Sequence, residues 1–242
     1  MTDIGRAFAA ALGLILSGNA ELLKIVLLSL KVSLIATALA FVLAAPAGAA
    51  LAAWRFPGRT AVLVTLNALL GLPPVVVGLV VYLILSRSGP MGGLGLLFTP
   101  AAMVIAQVVL TVPIVAALTH RATEDLWVDY GDALQLDGAS RWRVVWTLLA
   151  MARAGLVTVF LAAFGRAIAE VGAIIMVGGN IRDHTRTMTT AIVLLTSQGD
   201  LPLALGLGLI LITLTLAFSA LAFAIGRRKP RDSRRRIWLR PW

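Results

Sequence analysis

The chain has 242 residues, 60% of them hydrophobic and 13% charged, against roughly 45–50% apolar and about 25% charged in a soluble domain, so the bilayer is the expected solvent. The lack of cysteine excludes a disulfide framework, a thiolate metal site and a Cys nucleophile, and two histidines, His120 and His184, do not make a His-rich metal centre. The formal charge of +10 does not point to nucleic acid: eight of the 21 Lys and Arg fall in the last sixteen residues, RRKPRDSRRRIWLRPW, as in a cytoplasmic tail.

Residues 1–24 read as an interfacial segment. Asp3 precedes Arg6, and AFAAALGLIL ends at Ser17-Gly18-Asn19 without a clear cleavage site. Ten or so apolar residues are too few to cross roughly 30 Å. A transmembrane region, 25–226, follows, with five apolar stretches at about 25–53, 60–86, 101–119, 153–177 and 201–226. Each is predicted helical, because in lipid the backbone must satisfy its own hydrogen bonds. Pro46, Pro73, Pro74 and Pro113 lie inside these stretches, where neighbouring helices or hydroxyls can take up the freed carbonyls. The small residues of AAPAGAALAA in the first span predict close helix packing.

Between the spans, SRSGPMGGLGLLFTP is a glycine-rich outer loop. A longer outer connection holds an apolar-polar run, 188–198, too short to span and expected to lie flat or dip partly into the protein. With the 227–242 tail inside, the inner segments hold 14 Lys and Arg and the outer ones five. That bias predicts the N-terminus outside, the C-terminus inside, and the polar segment around 120–152 in the cytoplasm. The expected fold class is an all-α integral membrane protein of about five transmembrane helices with a cytoplasmic helix-turn-helix loop.

That loop contains DALQLDGASRWRVVWTLL, residues 132–149. Asp132, Ala133 and Leu134 precede Gly138 by about six residues. A helix, a tight turn at Gly138 and a second helix from about Ser140 would make an elbow, with Ala139-Ser140 capping the second helix. Trp142, Val145 and Trp146 then form an apolar face for a partner groove, with Arg143 beside them. On pattern alone, an amphipathic loop resting on the membrane surface is the competing reading.

This segment resembles the coupling loop of permease subunits of binding-protein-dependent ABC importers, whose motif reads Glu-Ala-Ala, three residues, Gly. GASRWR matches the usual form; Asp132 and Leu134 stand where Glu and Ala are common, and Met151 where a proline usually closes the motif. The resemblance covers essentially all five spans and implies a type I importer permease. It implies that Asp132, Ala133, Gly138, Ala139, Ser140, Trp142 and Arg143 dock into a cytoplasmic ABC ATPase subunit, present in two copies. It also implies a second permease copy, expected as a homodimer, and an extracytoplasmic substrate-binding protein. The chain has no phosphate-binding glycine loop followed by Lys-Ser or Lys-Thr, so ATP and Mg belong to the partner, and no cofactor and no enzymatic activity are expected of this chain.

A second stretch, FGRAIAEVGAIIMVGGNI, places Arg166 and Glu170 four apart, on one face of a predicted helix. Charges at membrane depth are costly and face a partner or a watery path, so the pair is either a structural ion pair or part of a gate. Gly172, Gly178 and Gly179 allow close backbone approach, and Asn180 is placed to cap or hydrogen-bond at the outer mouth. GRAIAEVGAIIMVGGNI followed by TRTMTTAI resembles the tungstate-type permeases more than the molybdate type. The molybdate relatives tend to have Phe-Gly-Ala and a Pro-Gly turn where this chain has Val171-Gly172-Ala173 and Arg182-Asp183.

Arg182, His184 and Arg186, with Thr185, Thr187, Thr189 and Thr190, form a basic, hydroxyl-rich outer segment. Such groups suit a tetrahedral dianion in transit, but docking of an acidic patch on the binding protein is the preferred reading. Lys31 is expected to snorkel outward, and His120 to sit at an interface. Molybdate or another oxyanion is the nearest alternative substrate, and an ATP-independent carrier the alternative mechanism. A membrane enzyme is disfavoured, because the spans hold no nucleophile-base pair.

Overall fold

The computed structural model describes residues 17–226 together with Ala9, Gly13 and Leu16. Most of the interfacial segment 1–24 and the whole basic tail 227–242 therefore lie outside the described residues. Helix α1, Ala20–Ala53, starts at Asn19, whose side-chain oxygen accepts from the amides of Glu21 (2.9 Å) and Leu22 (3.1 Å). Its partner is α4, Pro100–Leu136, capped by Thr99 with a proline in the first turn. Proline is at home there, since its missing N–H would have no partner in the helix.

These two helices form the spine of the molecule, and α1 and α4 touch backbone to backbone at Gly48. A Cβ on Gly48 would stand 2.5 Å from the carbonyl oxygen of Ala116. The alanines around it, Ala40, Ala44, Ala45 and Ala49, are buried in the same cluster. Small residues thus set the helix separation, as AAPAGAALAA predicted. Among the described residues, α1, α4 and the last helix, α9 (Leu201–Gly226), are each long and apolar enough to cross a membrane alone.

The other two predicted spans are not continuous helices. The second, expected over 60–86, is α2 (Arg59–Leu69) and α3 (Pro74–Leu85), bent by 101°. Two consecutive prolines explain the break: neither has an N–H, and Pro73 drives Leu72 out of the helical region. The fourth, expected over 153–177, is α6 (Arg153–Ile168) and a shorter seven-residue piece, α7 (Gly172–Gly178), separated by Ala169–Val171. The two breaks face each other across a small cavity lined by Leu69, Leu70 and Leu72 on one side and Ala167 and Glu170 on the other.

Between α4 and α6 lies α5 (Arg141–Met151), and it meets α6 at 77°. The short run 188–198 is helix α8 (Met188–Gln198), and it dips in rather than lying flat. Met188, Ala191 and Leu195 pack with Phe164 and Ile168 of α6 and Leu207 of α9. The Met188 amide donates to the Ser29 hydroxyl of α1 at 2.8 Å. A further apolar cluster joins α1, α3, α4 and α7 through Val32, Val81, Met103 and Val177.

Candidate functional site

The elbow is present, with one change to its first limb. No separate helix opens it: α4 continues unbroken to Leu136, so Asp132 and Ala133 lie on the last turn of a span-length helix. The chain reverses at Gly138, whose φ of 67° is left-handed and favours glycine. The turn is closed by Gly138 N–H donating to the Gln135 carbonyl (3.0 Å) and Ala139 N–H to that of Leu134 (3.2 Å). This is the paired carbonyl capping by which helices end at a glycine. Ser140 then caps α5, accepting from the Arg143 amide at 3.4 Å.

Helix α5 has two unlike faces. Val144, Val145, Leu148 and Leu149 are buried, while Trp142 and Trp146 are 58% and 60% exposed. The predicted partner face of Trp142, Val145 and Trp146 is therefore corrected at Val145, which packs with Ala49, Val115 and Ala163. At 3.6 residues per turn Val145 lies only about 60° round the helix from Trp142, at the edge between the tryptophans and the buried Val144 and Leu148. Trp146, Arg143 and Thr147 border an open hollow of about 770 Å3 that runs on to Arg153.

The elbow also grips the C-terminal end of α1. The rings of Trp54 and Trp142 meet edge to face at 5.1 Å, and Trp54 Nε1 donates to the Arg141 carbonyl at 3.4 Å. Ala53, Val144 and Leu148 are buried together beside them. Helix α5 is thus held to α1 and α4 by close-packed contacts. Met151 ends α5 without a proline, and the sharp bend into α6 is made by Ala152, whose N–H reaches the Leu148 carbonyl at 2.8 Å.

At the break between α6 and α7, Arg166 Nη1 and Glu170 Oε2 are 2.6 Å apart, with the side chains 47% and 4% exposed. The predicted pair is formed, but not along a continuous helix face: α6 has ended, and Glu170 sits in the gap before α7. Its second oxygen accepts from the Ala173 amide at 3.3 Å, which caps α7. Thr189 of α8 donates to the Glu170 carbonyl at 2.7 Å. Gln107 of α4, fully buried, donates through Nε2 to the Ala167 carbonyl (2.9 Å) and the Ser33 hydroxyl (3.3 Å). The backbone carbonyls freed by the break are thus met by side chains from α4 and α8, with Ser33 of α1 accepting from Gln107 behind them, as polar groups in a membrane protein require. A Cβ on Gly172 would come within 2.7 Å of Val75 Cγ2, so α7 meets the start of α3 here.

The outer segment differs most from its sequence reading. The hydroxyls of Thr185, Thr187, Thr189 and Thr190 are buried and used internally. Thr185 donates to the Gly178 carbonyl, Thr187 and Thr190 form the capping box of α8, and Thr189 serves the break. None lines an outer passage. Asn180, at φ 51°, ties the loop down by donating to the Thr190 carbonyl at 3.2 Å. Arg182 pairs with Glu21 at 2.9 Å, and Arg186 approaches the same carboxylate at 3.9 Å. Lys24 pairs with Asp183 at 2.9 Å, and that hydrogen bond holds the Asp183 carboxyl below its usual range. His184 is exposed.

His120, expected at an interface, is instead buried in an internal cluster. Its Nε2 lies 3.2 Å from Arg59 and its Nδ1 3.8 Å from Glu124, which draws the start of α2 onto α4. Gln107 and Glu21 were not singled out from the sequence. A lone amide in the apolar run AAMVIAQVVL was the available signal for Gln107. For Glu21 there was none, since its partners lie some 160 residues away.

Residues 40–231 match the family described as the binding-protein-dependent transport system inner membrane component. The chain belongs to that family. It is a permease subunit and a multi-pass membrane protein, and the all-α reading holds. The chain is similar to the tungstate uptake system permease protein TupB of Peptoclostridium acidaminophilum, 38% identical over 84% of this chain and 90% of that protein. It is also similar to a probable anion ABC transporter permease protein of Haloferax volcanii, 40% identical over 74% of this chain and 80% of that one. The molybdenum transport system permease protein ModB of Escherichia coli strain K12 is 34% identical, over 70% of this chain and 78% of that protein.

Proposed function

We propose that this permease carries tungstate inward as the membrane subunit of an ATP-driven importer. Two copies of the chain would enclose the path, two copies of an ABC ATPase subunit would use ATP and Mg on the cytoplasmic side, and an extracytoplasmic binding protein would deliver the anion. The chain itself would take no cofactor and catalyse no reaction. The observation that carries the reading is the elbow, with Trp142, Arg143 and Trp146 presented outward from a helix whose other face is locked onto α1. An apolar-basic helix face standing free at the end of a bundle suits a groove on a partner protein. The similarity to tungstate permeases supports the substrate.

In this reading, closure of the ATPases draws the elbows of the two copies together. The push reaches α1 and α4 through Trp54 and the buried side of α5. The chain yields where its helices are already interrupted, at Leu70–Pro73 and at Ala169–Val171, with the Arg166–Glu170 pair between them as the gate. Gly172 permits α7 to slide against α3. Outside, Arg182 and His184 receive the binding protein, with Arg186 behind them bracing Glu21. The excess of Lys and Arg on one side supports an N-terminus outside and a C-terminus inside.

The test is elemental. Deleting the gene in its host should lower cell-associated tungsten, read by mass spectrometry at nanomolar supply, and leave molybdenum intact. Equal loss of both would make the chain a general oxyanion permease, the reading favoured by its similarity to ModB. Loss of neither would remove the proposed substrate.

A further inference from the structure

Among the described residues, Lys31 is an ammonium without a counter-ion. It lies on α1, exposed, with Leu27, Leu34 and Ile35 around it also exposed. Those neighbours are large and apolar, as on a lipid-facing surface, and a charge held at that depth is costly unless something compensates it. Seven residues separate it from Lys24, about 10 Å along the helix at 1.5 Å per residue. Among the described residues no ion pair engages Lys31. The nearby carboxylates are already taken, Asp183 by Lys24 and Glu21 by Arg182 and Arg186.

Two hollows flank this lysine. The outer one, about 430 Å3, is lined by Lys24, Lys31, Arg182 and Arg186 against Glu21 and Asp183, so it carries more positive than negative charge. The second hollow, about 400 Å3, is an apolar groove between α1 and α4, and Leu28 and Lys31 line both. Apart from Lys31, its walls are aliphatic side chains and Pro100.

We propose that this pair of adjoining hollows binds an anionic phospholipid, with the headgroup phosphate at Lys31 and Lys24 and an acyl chain in the α1–α4 groove. The phosphate provides the missing counter-charge, through charge-assisted hydrogen bonds. The acyl chain decides for lipid over a free oxyanion, because a small hydrated dianion gains nothing from an aliphatic groove contiguous with its site. An acidic protein segment would meet the outer cations but would have to place a chain in the lipid-facing groove. The inference stands on the membrane location of the chain and is independent of tungstate.

The full-length permease, reconstituted in phosphatidylcholine bilayers with or without phosphatidylglycerol, would be washed in detergent and weighed by native mass spectrometry. Wild type should retain phosphatidylglycerol in preference to phosphatidylcholine. Lys31→Met should lower that retention about fivefold, the scale of one basic residue beside an anionic surface, and Lys31→Arg should restore it. Thermal unfolding of Lys31→Met in pure phosphatidylcholine should match wild type, which separates loss of the site from loss of the fold. Unchanged retention in Lys31→Met overturns the proposal. So does displacement of the lipid by millimolar tungstate or inorganic phosphate, which would make this a small-oxyanion site. Intact lipid retention with weakened capture of the cognate binding protein would make it a protein dock, and also overturns it.

Discussion

The elbow and the break between α6 and α7 are both interruptions of helix, but they are built in opposite ways. The elbow is local. Its glycine turn, its serine cap and its two-faced second helix all lie within residues 132–151, and only the buried side of α5 needs other elements. The break is assembled from afar. Arg166 and Glu170 are neighbours in sequence, but the carbonyls freed around them are met by Gln107 and Thr189 from other helices. A local device can be pushed without unfolding, because its outward face, apart from Trp142 against Trp54, carries none of the fold. A device made by convergence moves only if several partners let go together, which suits a gate.

The largest expected effect lies at the break. Arg166→Met should leave the buried Glu170 carboxylate unpaired and lower stability by roughly 2–3 kcal/mol. That falls short of the 3–5 kcal/mol for a fully buried pair, because Arg166 is itself half exposed. Glu170→Gln should cost less, since an amide oxygen can still accept from Ala173 and Arg166 can turn to water. The thermal midpoint of the purified permease reads both, and equal midpoints for Arg166→Met and wild type would mean that the pair does not hold the break. Gly78→Val should come next. A Cβ there would stand 2.7 Å from the Cα of Ala173, so α3 and α7 must separate, at about 1–3 kcal/mol. If the contrast holds, this variant loses stability and uptake together.

Gly138→Asp should separate the two. Its Cβ meets open space, so the cost is backbone strain alone, about 1 kcal/mol. Uptake per permease in the membrane should nonetheless fall steeply, as the turn sets the angle at which α5 meets its partner. Full ATP-driven uptake by this variant would refute the docking role.

The same division governs what could be read from the sequence. Gly138, Ser140 and the tryptophans of α5 were legible because their signals are short-range: a turn residue, a cap, a run of aromatics. Their burial was less so, and Val145 was assigned to the wrong face because the apolar pattern alone does not say which side meets α1. The spans were located by hydropathy, but hydropathy is blind to the breaks, since Leu70–Pro73 and Ala169–Val171 are as apolar as their surroundings apart from one proline pair and one glutamate. The threonines of the outer loop misled for the opposite reason. Hydroxyls near arginines suggest an anion site, but here the nearest unsatisfied backbone groups claimed them first.

Smaller effects sharpen the picture of the elbow. Ser140→Ala removes a cap whose hydrogen bond is long, 3.4 Å, and should cost about 0.5 kcal/mol, the lower end for such a loss. A fall of the midpoint as large as that of Gly78→Val would show that α5 depends on its cap more than on its buried face.

Trp146→Ala should change stability least and still matter. Its side chain is 60% exposed and borders the open hollow with Arg143, so truncation should stay within about 0.5 kcal/mol. An exposed tryptophan on a fixed helix face is nevertheless the kind of residue on which binding energy concentrates once a partner covers it. Capture of the ATPase by the purified permease should therefore weaken in Trp146→Ala at unchanged midpoint. In Trp142→Ala both should fall, because that ring also packs against Trp54. If instead Trp146→Ala captured the ATPase as wild type does while Trp142→Ala did not, the grip would lie on the α1 side of the elbow. The push would then reach the spine directly, through Trp54, and not by way of α5.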